Sequence, residues 1–171
     1  MATQIESVPA DATAAYPLAP DTYERLLAFG SIALLACVVA ALARGQAQWA
    51  LVPANVWLHL ATIVVALGLT PIMLLRRRGD RRHRRLGRIW AVAMVLTAAL
   101  SFTIRTSGGF SAIHILSAGT LLMVPAMVIS ARRHQIARHR RLIRGLVTGA
   151  LLIAGAFTFP FGRMLGRWLF G

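Results

Sequence analysis

The chain has 171 residues, 57% of them hydrophobic and 14% charged, with a mean hydropathy of +0.66. Soluble domains carry about 25% charged residues, so an ordinary soluble domain is excluded, and long apolar runs bounded by charge read as membrane spans. The formal net charge of +14 rests on 19 basic residues, all arginine, most of them in the two segments 76–88 and 132–144. Each segment is wedged between apolar runs, which speaks for loop topology and against a nucleic-acid-binding domain.

Residues 1–22 are polar and alanine-rich, with Pro9, Pro17 and Pro20. No basic segment leads into an apolar core there, so a cleavable signal peptide is not expected, and a disordered tail is. The acidic residues are Glu6, Asp11, Asp21, Glu24 and Asp80. The spans are expected to carry no carboxylate. Residues 23–171 are expected to form a single transmembrane domain of five helices over 23–43, 56–75, 86–104, 110–129 and 142–159, the last continuing in one version past Pro160 to Phe170. Each has about the 20 residues that a span requires at 1.5 Å rise per residue. Cys37, the single cysteine, excludes an internal disulfide and reads as a small buried hydrophobe. Pro71 and Pro125 fall in the inner parts of helices two and four, where a membrane helix tolerates a kink.

Arginine asymmetry sets the orientation. The loops after helices two and four carry eight and six arginines, against Arg44 and Arg105 in the other loops. The heavy loops are therefore expected in the cytoplasm, with the N-terminus inside, the C-terminus outside and the protein in the cytoplasmic membrane. Trp57 and Trp168 at outer ends and Trp90 at an inner end suit interfacial anchors. The arginine loops are expected to touch anionic lipid headgroups.

The chain also repeats itself. A unit of about 56–105 runs from His59 through HRRLGR (83–88) to Arg105, and one of about 110–163 from His114 through HRRLIR (139–144) to Arg163. The histidines are 24 residues apart in the first unit and 25 in the second. Each unit is a helical hairpin starting on the same side of the membrane, so the two are parallel repeats about an axis along the membrane normal. Together they predict a four-helix bundle to which helix one is an addition. Such symmetry sets His59 opposite His114 at the outer side and His83 opposite His139 at the inner side, with roughly 24 Å between the pairs.

Two histidines from facing helices at each membrane face are a way to hold two six-coordinate haems. Imidazole is a common axial ligand, and two of them leave no open position, which favours electron transfer. The anionic propionates would then pair with arginines in forked geometry, those beside His83 and His139 at the inner haem and Arg105 and Arg163 at the outer one. Haem iron held by His59, His114, His83 and His139 is the expected metal. No catalytic residue is assigned.

The H…HRRLGR and H…HRRLIR units resemble a bacterial family of predicted multi-span membrane proteins, a domain of unknown function, over about 55–165. They are also similar to the di-haem cytochrome b superfamily, above all its ascorbate-reducible type. That second resemblance implies an outer haem on His59 and His114, an inner one on His83 and His139, and transmembrane electron transfer from ascorbate-like donors to semidehydroascorbate or ferric iron. The chain departs from that pattern in setting His83 and His139 among arginines, in having no lysine, and in lacking that family's substrate-site motifs. The expected activity is a transmembrane oxidoreductase of b-type haem, with quinol or another small reductant as donor. The alternative is a cofactor-free permease or membrane scaffold. Against a proton-coupled permease stands the absence of a carboxylate assigned to the spans. Against a hydrolase stands the lack of a Ser/His/Asp set or an HExxH-like motif.

Overall fold

A computed structural model of the chain describes residues 19–76, 78–104, 112–160 and 162–171. The expected tail up to residue 18 lies outside the described residues. Helices account for nearly all of what is described, and no strand occurs among the described residues.

Helix α1 (Thr22–Arg44) opens with a reciprocal cap. The Asp21 side chain accepts the Glu24 amide (2.9 Å), and the Glu24 side chain accepts the Asp21 amide (3.2 Å), which satisfies two of the amides a helix start leaves unpaired. It ends at Gly45 and passes into a 3-10 turn, Gln46–Leu51. Pro53 then caps α2 (Ala54–Leu75). A short turn leads to Asp80, whose side chain accepts the His83 amide (2.5 Å) and starts α3 (Arg81–Ser101). Helix α4 (Ala112–Arg132) turns at His134, which adopts a left-handed φ of 55°, into α5 (Ile136–Gly145). The chain continues as a π-helical run, Leu146–Ile153, one further turn, α6 (Ala154–Ala156), and a separate short helix, α7 (Met164–Phe170).

Two of these boundaries correct the sequence reading. Helix three begins five residues before the expected 86, because a capping aspartate precedes the arginines and arginine is a good helix former. The fifth helix begins at Ile136, six before the expected 142, and does not continue through Pro160: α7 is a separate piece.

Three helices are long and apolar enough to cross a membrane: Thr22–Arg44, Ala54–Leu75 and His114–Arg132. Neighbouring helices pack in chain order, α1 on α2, α2 on α3, α3 on α4 and α4 on α5. Helix α1 also packs on the π run and on α7, so it lies between α2 and the fifth helix and forms part of the packed body. It is more than an addition to four others. Trp90, Leu67, Met94, Val124, Leu146 and Val147 fill the interior. Leu26, Phe29, Val92, Ile115 and Leu122 point outward, each more than half exposed. Cys37 is exposed as well, not buried as expected, since it belongs to the outward face of α1.

Two polar contacts hold the body together inside. Trp90 donates its indole N–H to the Thr70 hydroxyl (2.9 Å), one residue before Pro71, and Thr70 in turn donates to the Ala66 carbonyl (2.7 Å). At the opposite end, Trp49 and Trp57 meet edge to face at 5.3 Å, and Trp168 on α7 donates to the Gln48 side chain (2.9 Å). Arg44 donates to the Leu169 carbonyl. The end of the chain is thus tied to the end of α1.

Gly45 permits this docking, because a Cβ there would fall 2.1 Å from a Trp168 ring carbon. A rigid indole cannot yield by rotating a methyl aside, so Gly45→Ala should lift α7 from α1. Gly149→Ala, where nothing lies within 4 Å, should leave it in place. Trypsin cleavage after Arg163 and Arg167 checks this: the C-terminal segment should be cut faster in the first variant and at the parent rate in the second.

Candidate functional site

The helix ends that carry the arginine turns meet on one buried carboxylate. Glu24 is 2% exposed. Arg140 grips it with two bonds, Nε to Oε1 at 3.0 Å and Nη2 to Oε2 at 3.1 Å, and Arg78 donates to Oε2. Arg144 lies 3.3 Å from Oε1 and donates to Asp21, which Arg140 also reaches at 3.4 Å. Arg140 and Arg144 are four apart on α5, and so share a face. Arg78 comes from the turn before α3. One carboxylate therefore fastens α1, the α2–α3 turn and α5 together. The guanidinium of Arg144 also lies 5.6 Å from the Tyr23 ring centroid, and the Tyr23 hydroxyl pairs with Thr148 at 2.6 Å in the π run.

These contacts correct two expectations. A carboxylate does stand within a span, since Glu24 belongs to α1. Arg140 and Arg144, next to His139 and expected to be open to haem propionates, are taken up by Glu24 and Asp21. The sequence did hold a signal for this, the D-x-x-E cap at 21–24 just before an apolar run. The Asp21 carboxyl is held below its usual range by the Glu24 amide above all; burial opposes this, and Arg144 and Arg140 add to the lowering.

His83 and His139 stand beside this cluster. Each is half-buried, and the charge of His139 would reach His83. His139 donates Nδ1–H to the Met127 carbonyl of α4 (3.1 Å). A carbonyl can only accept, so the proton is on Nδ1 and Nε2 keeps its lone pair. The His83 Nδ1 is buried without a partner. Both rings are pushed toward the neutral form. Burial is the main cause at each; His139, Arg78 and Arg84 add to it at His83 against Asp80, and Arg78 adds to it at His139 against the Met127 carbonyl.

Toward the other end of the helices, His59 and His114 both lean on α3. His59 donates Nδ1–H to the Thr97 carbonyl (3.1 Å), and His114, 8% exposed, lies 5.6 Å from the Phe102 ring. Hydroxyls interlock the same three helices, Thr97 with Thr62 at 2.7 Å and Ser101 with Ser117 at 2.6 Å. Arg105 lies outside the described residues. Arg163 caps α7, which packs chiefly on α1.

Among the described residues no group of three or more His, Cys, Asp or Glu side chains is placed to hold a bare metal ion. A haem needs only two such side chains, plus nitrogen lone pairs and neutral rings. The fixed tautomers of His59 and His139 and the partnerless Nδ1 of His83 fit that need. Comparison with protein-family models, with curated proteins and with solved structures finds no match.

Proposed function

We propose that this chain is an integral membrane protein of five spans that holds b-type haem and carries electrons at or across the cytoplasmic membrane. The observation that carries the reading is the pair of Nδ1–carbonyl anchors at His59 and His139. Ligating histidines characteristically give their second ring N–H to a carbonyl or carboxylate, which fixes the tautomer and raises the basicity of the ligating nitrogen. His83 and His139 would hold an inner haem, and His59 and His114 an outer one. A haem so held supplies one-electron chemistry at an iron with no open position.

The residues do the remaining work. Burial keeps the inner imidazoles neutral, as ligation requires. Asp21 and Glu24 neutralise the nearest arginines and fix the helix ends that carry His83 and His139. Quinol or another small reductant is the proposed donor. The five-span topology belongs to the same reading. Ile89, Val92 and Leu96 on α3 and Ile153 in the fifth helix are exposed as on the three long apolar helices, the arginine turns lie at one end, and the Trp49–Trp57 pair lies near the other.

The test is a reduced-minus-oxidised spectrum of the purified protein, with haem quantified per chain. Sharp b-type bands and about two haems per chain are expected, one for each bis-histidine pair. His83→Ala and His139→Ala should each remove one half of the signal, and His59→Ala and His114→Ala the other. A colourless protein expressed with ample haem would end this reading, and equal partial losses from all four variants would end the pairing.

A permease is the second reading; it rests on Pro71 and Pro125 inside α2 and α4, since Glu24, ion-paired with three arginines, is a poor proton carrier. In that case no histidine variant changes absorption, while Pro71→Ala or Pro125→Ala changes substrate flux.

A further inference from the structure

The inner cluster carries more positive charge and more donors than its own carboxylates use. Three guanidiniums, Arg78, Arg140 and Arg144, meet two carboxylates, Asp21 and Glu24, so one positive charge is left without a partner inside the cluster. Arg78 and Arg140 are 16% and 13% exposed, so water offers them little. Two guanidinium N–H groups, Arg78 Nη1 and Arg144 Nε, are buried with no hydrogen-bond partner. An unmade bond at a buried charged donor is costly, and native structures rarely leave one without a reason.

Both orphaned groups belong to guanidiniums that rest on one carboxylate, Arg78 on Glu24 Oε2 and Arg144 near Oε1. The two guanidiniums thus sit at opposite oxygens of one carboxylate, and a polydentate oxyanion is the ligand class that can take donors from both. The surplus of one charge matches a phosphodiester, which carries one negative charge, and arginine donors match its paired oxygens. The cluster lies at the end of the helices that carries the arginine turns, where an anionic membrane surface would be.

We propose that Arg78 and Arg144, held apart by Glu24, form a stoichiometric site for one phosphate-type oxyanion. The source is either the headgroup of an anionic phospholipid or free phosphate. The site is independent of haem and differs in kind from the diffuse attraction of exposed arginines for a charged surface. Its ligand completes the cluster: it takes the Arg78 Nη1 and Arg144 Nε protons and cancels the last charge.

Native mass spectrometry of the purified chain tests this, with phosphatidylglycerol and phosphatidylcholine micelles compared in the presence and absence of inorganic phosphate. One phosphatidylglycerol retained per chain, with phosphatidylcholine lost, assigns the headgroup. Retention of inorganic phosphate alone assigns the free anion. Arg144→Lys keeps the charge beside Asp21 and removes the Nε donor, and it should weaken binding by about ten- to a hundred-fold. Arg82→Gln and Arg85→Gln, at exposed positions on α3, should leave binding unchanged. Equal retention of both lipids with no phosphate bound overturns the site. So does binding that survives Arg144→Lys and Arg78→Gln in folded protein but falls with Arg82→Gln or Arg85→Gln.

Discussion

Glu24→Ala is expected to destabilise the protein by about 3–5 kcal/mol, the cost of removing one partner from a buried ion pair and leaving the others uncompensated. Three arginines converge on this side chain, two of them at most 16% exposed. The loss is therefore mainly the stranding of positive charge, beyond any missing attraction. Exposed pairs behave differently. Arg76 and Asp80, at 3.8 Å and more than 40% exposed, are worth about 0–1 kcal/mol, so Asp80→Ala should act mainly through the lost cap of α3, about 1 kcal/mol. For a chain of this size a loss of 3–5 kcal/mol lowers the melting midpoint by about 6–20 °C. Glu24→Gln keeps the shape and one acceptor and should fall between parent and alanine. In a double-mutant cycle, Glu24→Gln with Arg140→Gln should cost less than the sum of the two alone, because the second change removes the charge stranded by the first. A Glu24→Ala protein that melts within about 2 °C of the parent would mean that α1 is held by apolar packing alone.

The helices were legible where apolar length alone decides them. The expected 23–43 and 56–75 lie within two residues of α1 and α2 at each end. Charge misled the reading at the inner side. The expected first helix, 23–43, already encloses Glu24, and the D-x-x-E spacing at 21–24 is itself a helix-start signal, so a carboxylate at the start of α1 is legible in the residues. Helix three is expected from 86 because the arginines of 81–85 precede the apolar run, yet a capped helix tolerates them well. The meeting of Glu24 with Arg78, Arg140 and Arg144 was out of reach, since it joins residues 54 to 120 positions apart through the docking of α1. Nor does any residue pattern announce the π run, in which the Ala154 amide reaches back to the Gly149 carbonyl. His83 and His139, the histidines of HRRLGR and HRRLIR, lie within electrostatic reach of each other.

Acidification should weaken the inner end of the bundle through that pair. The rings of His83 and His139 are held below the ordinary 6.5, chiefly by burial. The folded state then favours the neutral form, while the unfolded chain takes up protons as pH falls through about 6.5. The stability these groups contribute is present above 6.5 and is lost as pH falls through their folded values. Asp80 and the Met127 carbonyl soften the effect, and Arg78 and the mutual repulsion of two imidazoliums sharpen it. Asp21, held below its usual range, stays ionised throughout this window and adds no slope. Melting midpoints taken from about pH 8 to about pH 5 should therefore fall in the parent and stay nearly flat in His83→Gln/His139→Gln, once haem content is matched. Because only a neutral imidazole offers its lone pair to iron, the proposed haem reading adds that a b-type band from the His83–His139 pair should fade in the same window, before one from His59 and His114. Parallel slopes in parent and double variant would show that neither ring is protonated at a cost to the fold, and would remove the inner pair as the acid-sensitive element.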